Sequence, residues 1–237
     1  MLGQNQKDWV NTKDCAKLRF PLEGSIGGMS EGVESRVPLI SVVILAAGES
    51  KRMGQPKQLM PLGGSTILEQ TVDNYLNSEV NEVIVVLGHR AEEMSQLLDG
   101  KPVMVAVNPA YRQGMGTSIA VGLSLIGAQA QGVMLALAEQ PFIDRRAINQ
   151  LIAAFGAHDK GIVIPSYNDQ RGHPVIFASK YREELLGLTG DIGGRQIISR
   201  HPDDILEIAV DCEGIITDID TWDSYQLEIS KLKIHRR

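Results

Sequence analysis

The sequence predicts an α/β protein, an open and mostly parallel sheet in three layers with helices on both faces. Three observations predict it. Short unbroken apolar runs, of which Val42-Val43-Ile44-Leu45-Ala46 is the first, have the composition of strands buried on both faces. Those runs alternate with segments of helical period, the spacing of β–α units around a parallel sheet. And 237 residues with 43% hydrophobic content suit one large domain better than two small ones.

The elements follow in chain order. Residues 1–37 are mixed in charge, carry Gly24, Gly27, Gly28 and Gly32, and sustain neither period. They are expected to be a poorly ordered extension, with Met29 an alternative start and the patterned domain spanning 38–237. A second reading has Trp9, Val10, Leu18 and Phe20 docking on the domain or on a partner. After the first strand comes a Gly-rich loop, then a helix over 65–76 with Ile67, Leu68, Val72 and Leu76 on one face. Strands follow at 83–87, 103–107 and 132–137, with helices at 91–98 and 117–125 between them. Asp144 is placed to cap a helix running to Phe155. Residues 161–165 and 174–177 read as antiparallel strands about a turn at Asn168-Asp169.

Composition limits the function. A net charge of −6 argues against a nucleic-acid partner or an anionic membrane held by bulk electrostatics, while a local Lys/Arg cluster still suits a small anion. The N-terminus lacks the apolar run of a signal peptide and no stretch is long enough to span a bilayer. Cys15 and Cys212 are far apart and form no metal-ligand spacing, so a reduced, cytoplasmic protein is expected.

The segment 46–57, directly after the first buried strand, has the makings of a phosphate cradle. Ligands of open α/β sheets bind beyond the carboxyl ends of the strands. Gly48 and Gly54 let backbone N–H groups approach an anion, and Lys51, Arg52 and Lys57 supply three cations within seven residues. The spacing matches neither a P-loop nor Gly-x-Gly-x-x-Gly, so a dinucleotide site and a redox role are disfavoured. A second loop, Gly114-Met115-Gly116-Thr117-Ser118 after Asn108, precedes a helix whose free N–H groups favour ligand acceptors, or it is an ordinary turn capped by Thr117 or Ser118. Glu139, at a strand end, is a hard oxygen ligand of the kind Mg²⁺ takes. Asp218 and Asp220 alternate, so on a strand only one of them would reach the same metal.

Leu45-Ala46-Ala47-Gly48-x-Ser50-x-Arg52-Met53-Gly54-x-x-Lys57-x-Leu59-x-Pro61-Leu62-Gly63-Gly64 resembles the signature of the MobA-like nucleotidyltransferases. Within them it looks most like the molybdenum cofactor cytidylyltransferases, and the resemblance runs from about Ser41 to Tyr225. It implies a nucleotide-diphospho-sugar transferase-like, Rossmann-like fold, Mg²⁺ as cofactor, and transfer of a cytidylyl group from CTP to a molybdopterin-type phosphate. It assigns Arg52 to the triphosphate and Lys57 to the reacting phosphate, with Leu45, Ala46, Ala47, Gly48, Gly88, Gly114, Gly116, Thr117 and Ser118 on the nucleotide. Ala46-Ala47-Gly48 looks like the CTP-using branch, because relatives using GTP read Leu-Ala-Gly-Gly here. Glu139, where the family carries Asp, and Asp220 correspond to the metal ligands. Gln140, Arg171, Gly172, His173, Asp191 and Arg195 fall on the acceptor side, in segments resembling Arg-Gly-His-Pro and Gly-Asp-x-Gly-Ala-Arg. Two other functions stay open: the same chemistry on another phosphorylated acceptor, and a non-catalytic carrier delivering cofactor to a molybdoenzyme client.

Overall fold

The computed structural model describes residues 37–234, so the expectations for 1–36, Cys15 among them, lie outside the described residues. Ten strands and seven helices follow in order: β1 Ile40–Ala46, β2 Pro61–Leu62, β3 Ser65–Thr66, α1 Ile67–Leu76, β4 Glu82–Leu87, α2 Ala91–Leu97, β5 Met104–Val107, α3 Met115–Ser124 and β6 Gly132–Leu137. Then come α4 Arg145–Ala157, β7 Ile162–Tyr167, β8 Gln170–Arg171, β9 Val175–Ala178, α5 Arg182–Leu186, α6 Arg195–Arg200, β10 Ile205–Ala209 and α7 Trp222–Ile234.

Eight strands form one open sheet in the order β10-β7-β9-β6-β1-β4-β5, with β8 beside β7; β2 and β3 make a separate hairpin. β5, β4, β1 and β6 are parallel neighbours, and β10 lies parallel to β7. β9 is antiparallel to β7, as the reading of 161–177 expected, and it is also antiparallel to β6. The turn between β7 and β8 falls at Asn168 and Asp169, both at positive φ (48° and 62°), a conformation their short polar side chains tolerate.

Alternation along the central strands builds a core on each face. Val42, Ile44, Val85 and Met134 pack with Leu68 and Val72 of α1, Met94 of α2 and Ile148 and Leu151 of α4. Val43, Ile84 and Leu135 pack with Ile119 and Leu123 of α3, Leu185 of α5 and Ile197 of α6. This is the three-layer arrangement. Thr66 accepts the Glu69 N–H at 3.2 Å while Glu69 accepts the Thr66 N–H at 2.9 Å, a capping box that starts α1. Asp144 caps α4 through the Ala147 N–H at 2.8 Å. Cys212 is a buried free thiol, and no helix among the described residues is long and apolar enough to cross a membrane.

Candidate active site

The site forms because β1 and β6 are parallel neighbours, so the loops leaving both open on one edge of the sheet. In the loop after β1, Ser50 adopts a left-handed conformation (φ 52°) and a 3-10 turn spans Lys51–Met53, closed by Gly54 at φ 66°. Ser50 Oγ accepts the Lys57 N–H at 3.2 Å and donates to Gln58 Oε1 at 3.2 Å, tying the two halves of the loop together. Met53 is buried in a third apolar cluster with Met60, Leu62, Ile67, Ile219 and Tyr225. That cluster binds the loop to the segment before α7.

The same segment is pinned to the end of β6. The Ile219 N–H donates to the Glu139 carbonyl at 3.1 Å, and Gln140 Nε2 donates to the Ile215 carbonyl at 3.1 Å and to Asp218 Oδ1 at 2.7 Å. A cleft of about 450 Å³ results. Ala47, Gly48, Lys51, Arg52 and Lys57 line one side, Glu139 and Asp220 face them, and Leu45, Leu137, Tyr111, Met115 and Ser118 continue the wall.

At its centre the Lys57 ammonium ion-pairs with both Glu139 and Asp220. Its side chain is 8% exposed and theirs 24% and 25%, so the three charges are largely withdrawn from water. Arg52, 73% exposed, reaches Asp220 at 3.1 Å. Burial pushes the Glu139 carboxyl above its ordinary range; Lys57 pulls it back, and Asp220 and Asp218 add to the rise.

One sequence expectation is corrected here. Residues 217–220 form no strand, so alternation does not hold, and ligand atoms of Glu139, Asp218 and Asp220 all lie within 4.8 Å of one another. Asp218 thus joins the two acids selected from sequence. Asp220 does not cap the final helix. That helix begins at Trp222, and Thr221 exchanges hydrogen bonds with Ser224 (3.2 and 3.1 Å), leaving the Asp220 carboxylate to the cations. Three clustered carboxylates are a hard oxygen donor set of the kind Mg²⁺ or Mn²⁺ takes.

The second loop also differs. α3 starts at Met115, two residues before Thr117, and its first N–H groups are already taken: Met115 by Asp191 Oδ1 (3.1 Å) and Gly116 by the Gly190 carbonyl (3.0 Å). Any side chain at Gly114 or Gly116 would collide with the backbone of residues 188–190, so these glycines serve close chain packing. The Thr117 hydroxyl turns back to the Gly114 carbonyl at 2.9 Å, and Ser118 alone of the pair lines the cleft. Gly88 and the buried Ala46 lie behind the wall; a Cβ on Gly88 would come 2.8 Å from Ala47 and Tyr111.

On the expected acceptor side, Asp191 lines the cleft while it caps α3. Gln140 is 2% exposed and acts as the tie just described. Arg171 is drawn instead to Glu207 of the edge strand β10 at 2.7 Å, and a side chain on Gly172 would collide with the Ile215 backbone. His173 donates its backbone N–H to the Ile215 carbonyl at 3.0 Å, and its buried Nδ1 has no hydrogen-bond partner among the described residues. Burial lowers its pKa, with Asp218 opposing and Arg195 reinforcing the shift, so both charges act on it. Arg195 itself is exposed at the start of α6.

Several cleft residues escaped sequence reading. Glu49 bridges Lys51 and, at 3.0 Å, Arg112, which also lies over the Tyr111 ring at 5.4 Å. Glu49 and Arg112 stand 63 residues apart, and nothing in either segment marks the other. Trp222 donates its indole N–H to the Met53 carbonyl at 3.2 Å, a second tie between the first loop and α7.

Comparison with known proteins agrees with this geometry. The MobA-like NTP transferase domain matches residues 42–205. The nicotine blue oxidoreductase of Paenarthrobacter nicotinovorans is 28% identical over 202 residues, covering 79% of this chain and 95% of that one. The molybdenum cofactor cytidylyltransferase of Escherichia coli is 26% identical over 187 residues, 78% of this chain and 93% of that one. Among solved structures, Rv0371c of Mycobacterium tuberculosis in complex with manganese superposes with a TM-score of 0.67 at 31% identity, over 81% of this chain and 98% of that one. A doubly buried parallel sheet, a cationic loop after its first strand and a match spanning both place this chain in the MobA-like NTP transferase family.

Proposed function

We propose that the protein is a divalent-cation-dependent cytidylyltransferase that moves the cytidylyl group of CTP to the phosphate of a molybdopterin-type cofactor and releases pyrophosphate. The observation that carries this reading is Lys57, buried between Glu139 and Asp220 at the mouth of a loop that also presents Lys51 and Arg52. An oxygen of the acceptor phosphate attacks the α-phosphorus of CTP, the bond to the β-phosphate bridging oxygen breaks, and its electron pair leaves on pyrophosphate. The attacking oxygen is already anionic, so no general base is required. The chain's task is alignment and charge neutralisation. Arg52 and Lys51 hold the outer phosphates, and Lys57 offers its ammonium to the reacting one. Glu139, Asp218 and Asp220 would hold Mg²⁺, which supplies further neutralisation of the triphosphate when bound. The acceptor enters past Asp191, with Arg195 and His173 on that side.

The Ala46-Ala47-Gly48 stretch and the relative named molybdenum cofactor cytidylyltransferase support this choice of nucleotide and acceptor. A second reading comes from the relative named as an oxidoreductase. One assay separates them: pyrophosphate release from CTP, GTP, ATP and UTP with Mg²⁺ or Mn²⁺, with and without molybdopterin, beside nicotinamide oxidation under the same conditions. Pyrophosphate release that needs CTP, metal and molybdopterin together is the expected outcome. No pyrophosphate release from any of the four nucleotides would refute the transferase, and nucleotide or molybdopterin binding without release would point to the cofactor carrier.

A further inference from the structure

One wall of the cleft carries a hydrogen-bond chain with a single free end. Asn108, 1% exposed, lies just after β5. Its Oδ1 accepts the Ala110 N–H at 2.9 Å. A backbone N–H can only donate, so this bond fixes which way the amide faces and turns Nδ2 toward α3. Nδ2 donates to Thr117 Oγ1 at 2.8 Å and to Ser118 Oγ at 2.9 Å. Nδ2 thereby occupies one lone pair of each hydroxyl, and neither hydroxyl proton can go to the amide N–H that meets it. Thr117 gives its proton to the carbonyls of Gly114 (2.9 Å) and Ala110 (3.2 Å). Ser118, 4% exposed, has no acceptor for its proton among the described residues, and it lines the cleft beside Ala47 and Met115. A buried donor without a partner is costly, so the wall favours a ligand that brings an acceptor to this point.

We infer that Asn108 is a positioning residue that fixes Ser118 as a hydrogen-bond donor, and that this donor selects cytosine over uracil. The inference rests on the reading of the cleft as a nucleotide site. The two pyrimidines have nearly the same shape, so packing barely separates them. They differ in the group on C4, amino in cytosine and carbonyl in uracil, and at N3, which in cytosine is a bare acceptor and in uracil carries a proton. Against a fixed hydroxyl donor, cytosine N3 completes the chain and uracil N3–H confronts it, donor to donor. Sites that read a polar group this way discriminate more strongly than apolar pockets of equal size.

The test is calorimetric titration of the full-length protein with CTP and with UTP, in Mg²⁺ and without acceptor. The wild type is expected to bind CTP about tenfold or more tightly than UTP. Ser118→Ala should bring that ratio close to one. Asn108→Asp offers oxygens where the amide offered N–H, so Ser118 donates to it and turns its lone pairs to the cleft; the ratio should then fall below one. A merely structural role for Asn108 would weaken both nucleotides alike. Should Asn108→Asp fail to fold, Ser118→Ala decides alone. Equal binding of CTP and UTP by the wild type, or a ratio unchanged in Ser118→Ala, overturns the inference and leaves the nucleotide site standing. Absence of binding by every nucleotide overturns the site itself.

Discussion

Replacing Lys57 with methionine keeps most of the unbranched side chain and removes the charge on which the centre of the cleft is balanced. The side chain is 8% exposed, and its two partners 24% and 25%. At an effective dielectric of about 20, each contact carries roughly 4 kcal/mol of Coulomb attraction, most of it offset by the desolvation of the charges. Deleting the cation leaves Glu139 and Asp220 half-buried against each other. A folding loss of about 3 kcal/mol is expected, as for other ion pairs broken from one side. Those carboxylates then become available to a divalent ion. Mn²⁺ at about a hundred times its Kd would return roughly 2.7 kcal/mol, close to what was lost. Denaturant unfolding with and without Mn²⁺, together with Mn²⁺ titration by electron paramagnetic resonance, measures both terms. Turnover should fall by about 10²–10³, the usual cost of a lost transition-state cation or donor. A variant that keeps turnover within about threefold of wild type, or shows no gain in Mn²⁺ affinity, would refute this account of Lys57.

Three further outcomes are expected. The Glu139 carboxyl titrates above its ordinary 4.5, so the folded state binds its proton more tightly than the unfolded one. Its contribution to stability is present in full below pH 4.5 and is lost as pH rises through the raised value; in metal-free buffer Glu139→Gln should flatten the unfolding free energy in that window. Trp222→Phe keeps a ring against Tyr225 and deletes the bond to the Met53 carbonyl, so nucleotide KM should rise several-fold, about 1 kcal/mol, with little change in melting temperature. Thr66→Ala removes half of the capping box and should lower stability by about 1 kcal/mol without altering the denaturant slope.

The central sheet was legible because its strands are buried on both faces and therefore apolar without interruption. β10 was not, because it is an edge strand in which Glu207 and Ala209 are exposed and the rest only half-buried. The start of α3 was placed two residues late, since Gly114-Met115-Gly116 reads as loop until the covering segment is seen. That cover includes Asp191, which caps α3 from 76 residues beyond Met115. Local chemistry likewise pointed to Lys57 and Glu139, but with 217–220 taken for a strand of strict alternation it allowed only one of Asp218 and Asp220, and the family resemblance chose Asp220. Arg171 shows the opposite case. Its motif neighbours led to the acceptor side, and the pairing with Glu207 that holds it elsewhere depends on which strand forms the edge.

The tie between Ile219 and Glu139 has a consequence for synthesis. Lys57 and Asp220 are 163 residues apart, and the stretch carrying Asp218 and Asp220 follows every strand of the main sheet. A nascent chain can lay down the sheet and the cationic loop well before these acids leave the ribosome. Until then Lys57 has only Glu139 to answer it, and the cleft is net positive. On the proposed function, a chain cut short before Asp218 would still attract anions but would lack two of the three carboxylates that would hold the metal, so completion of the C-terminal strap is what would turn an electrostatic trap into a reaction centre.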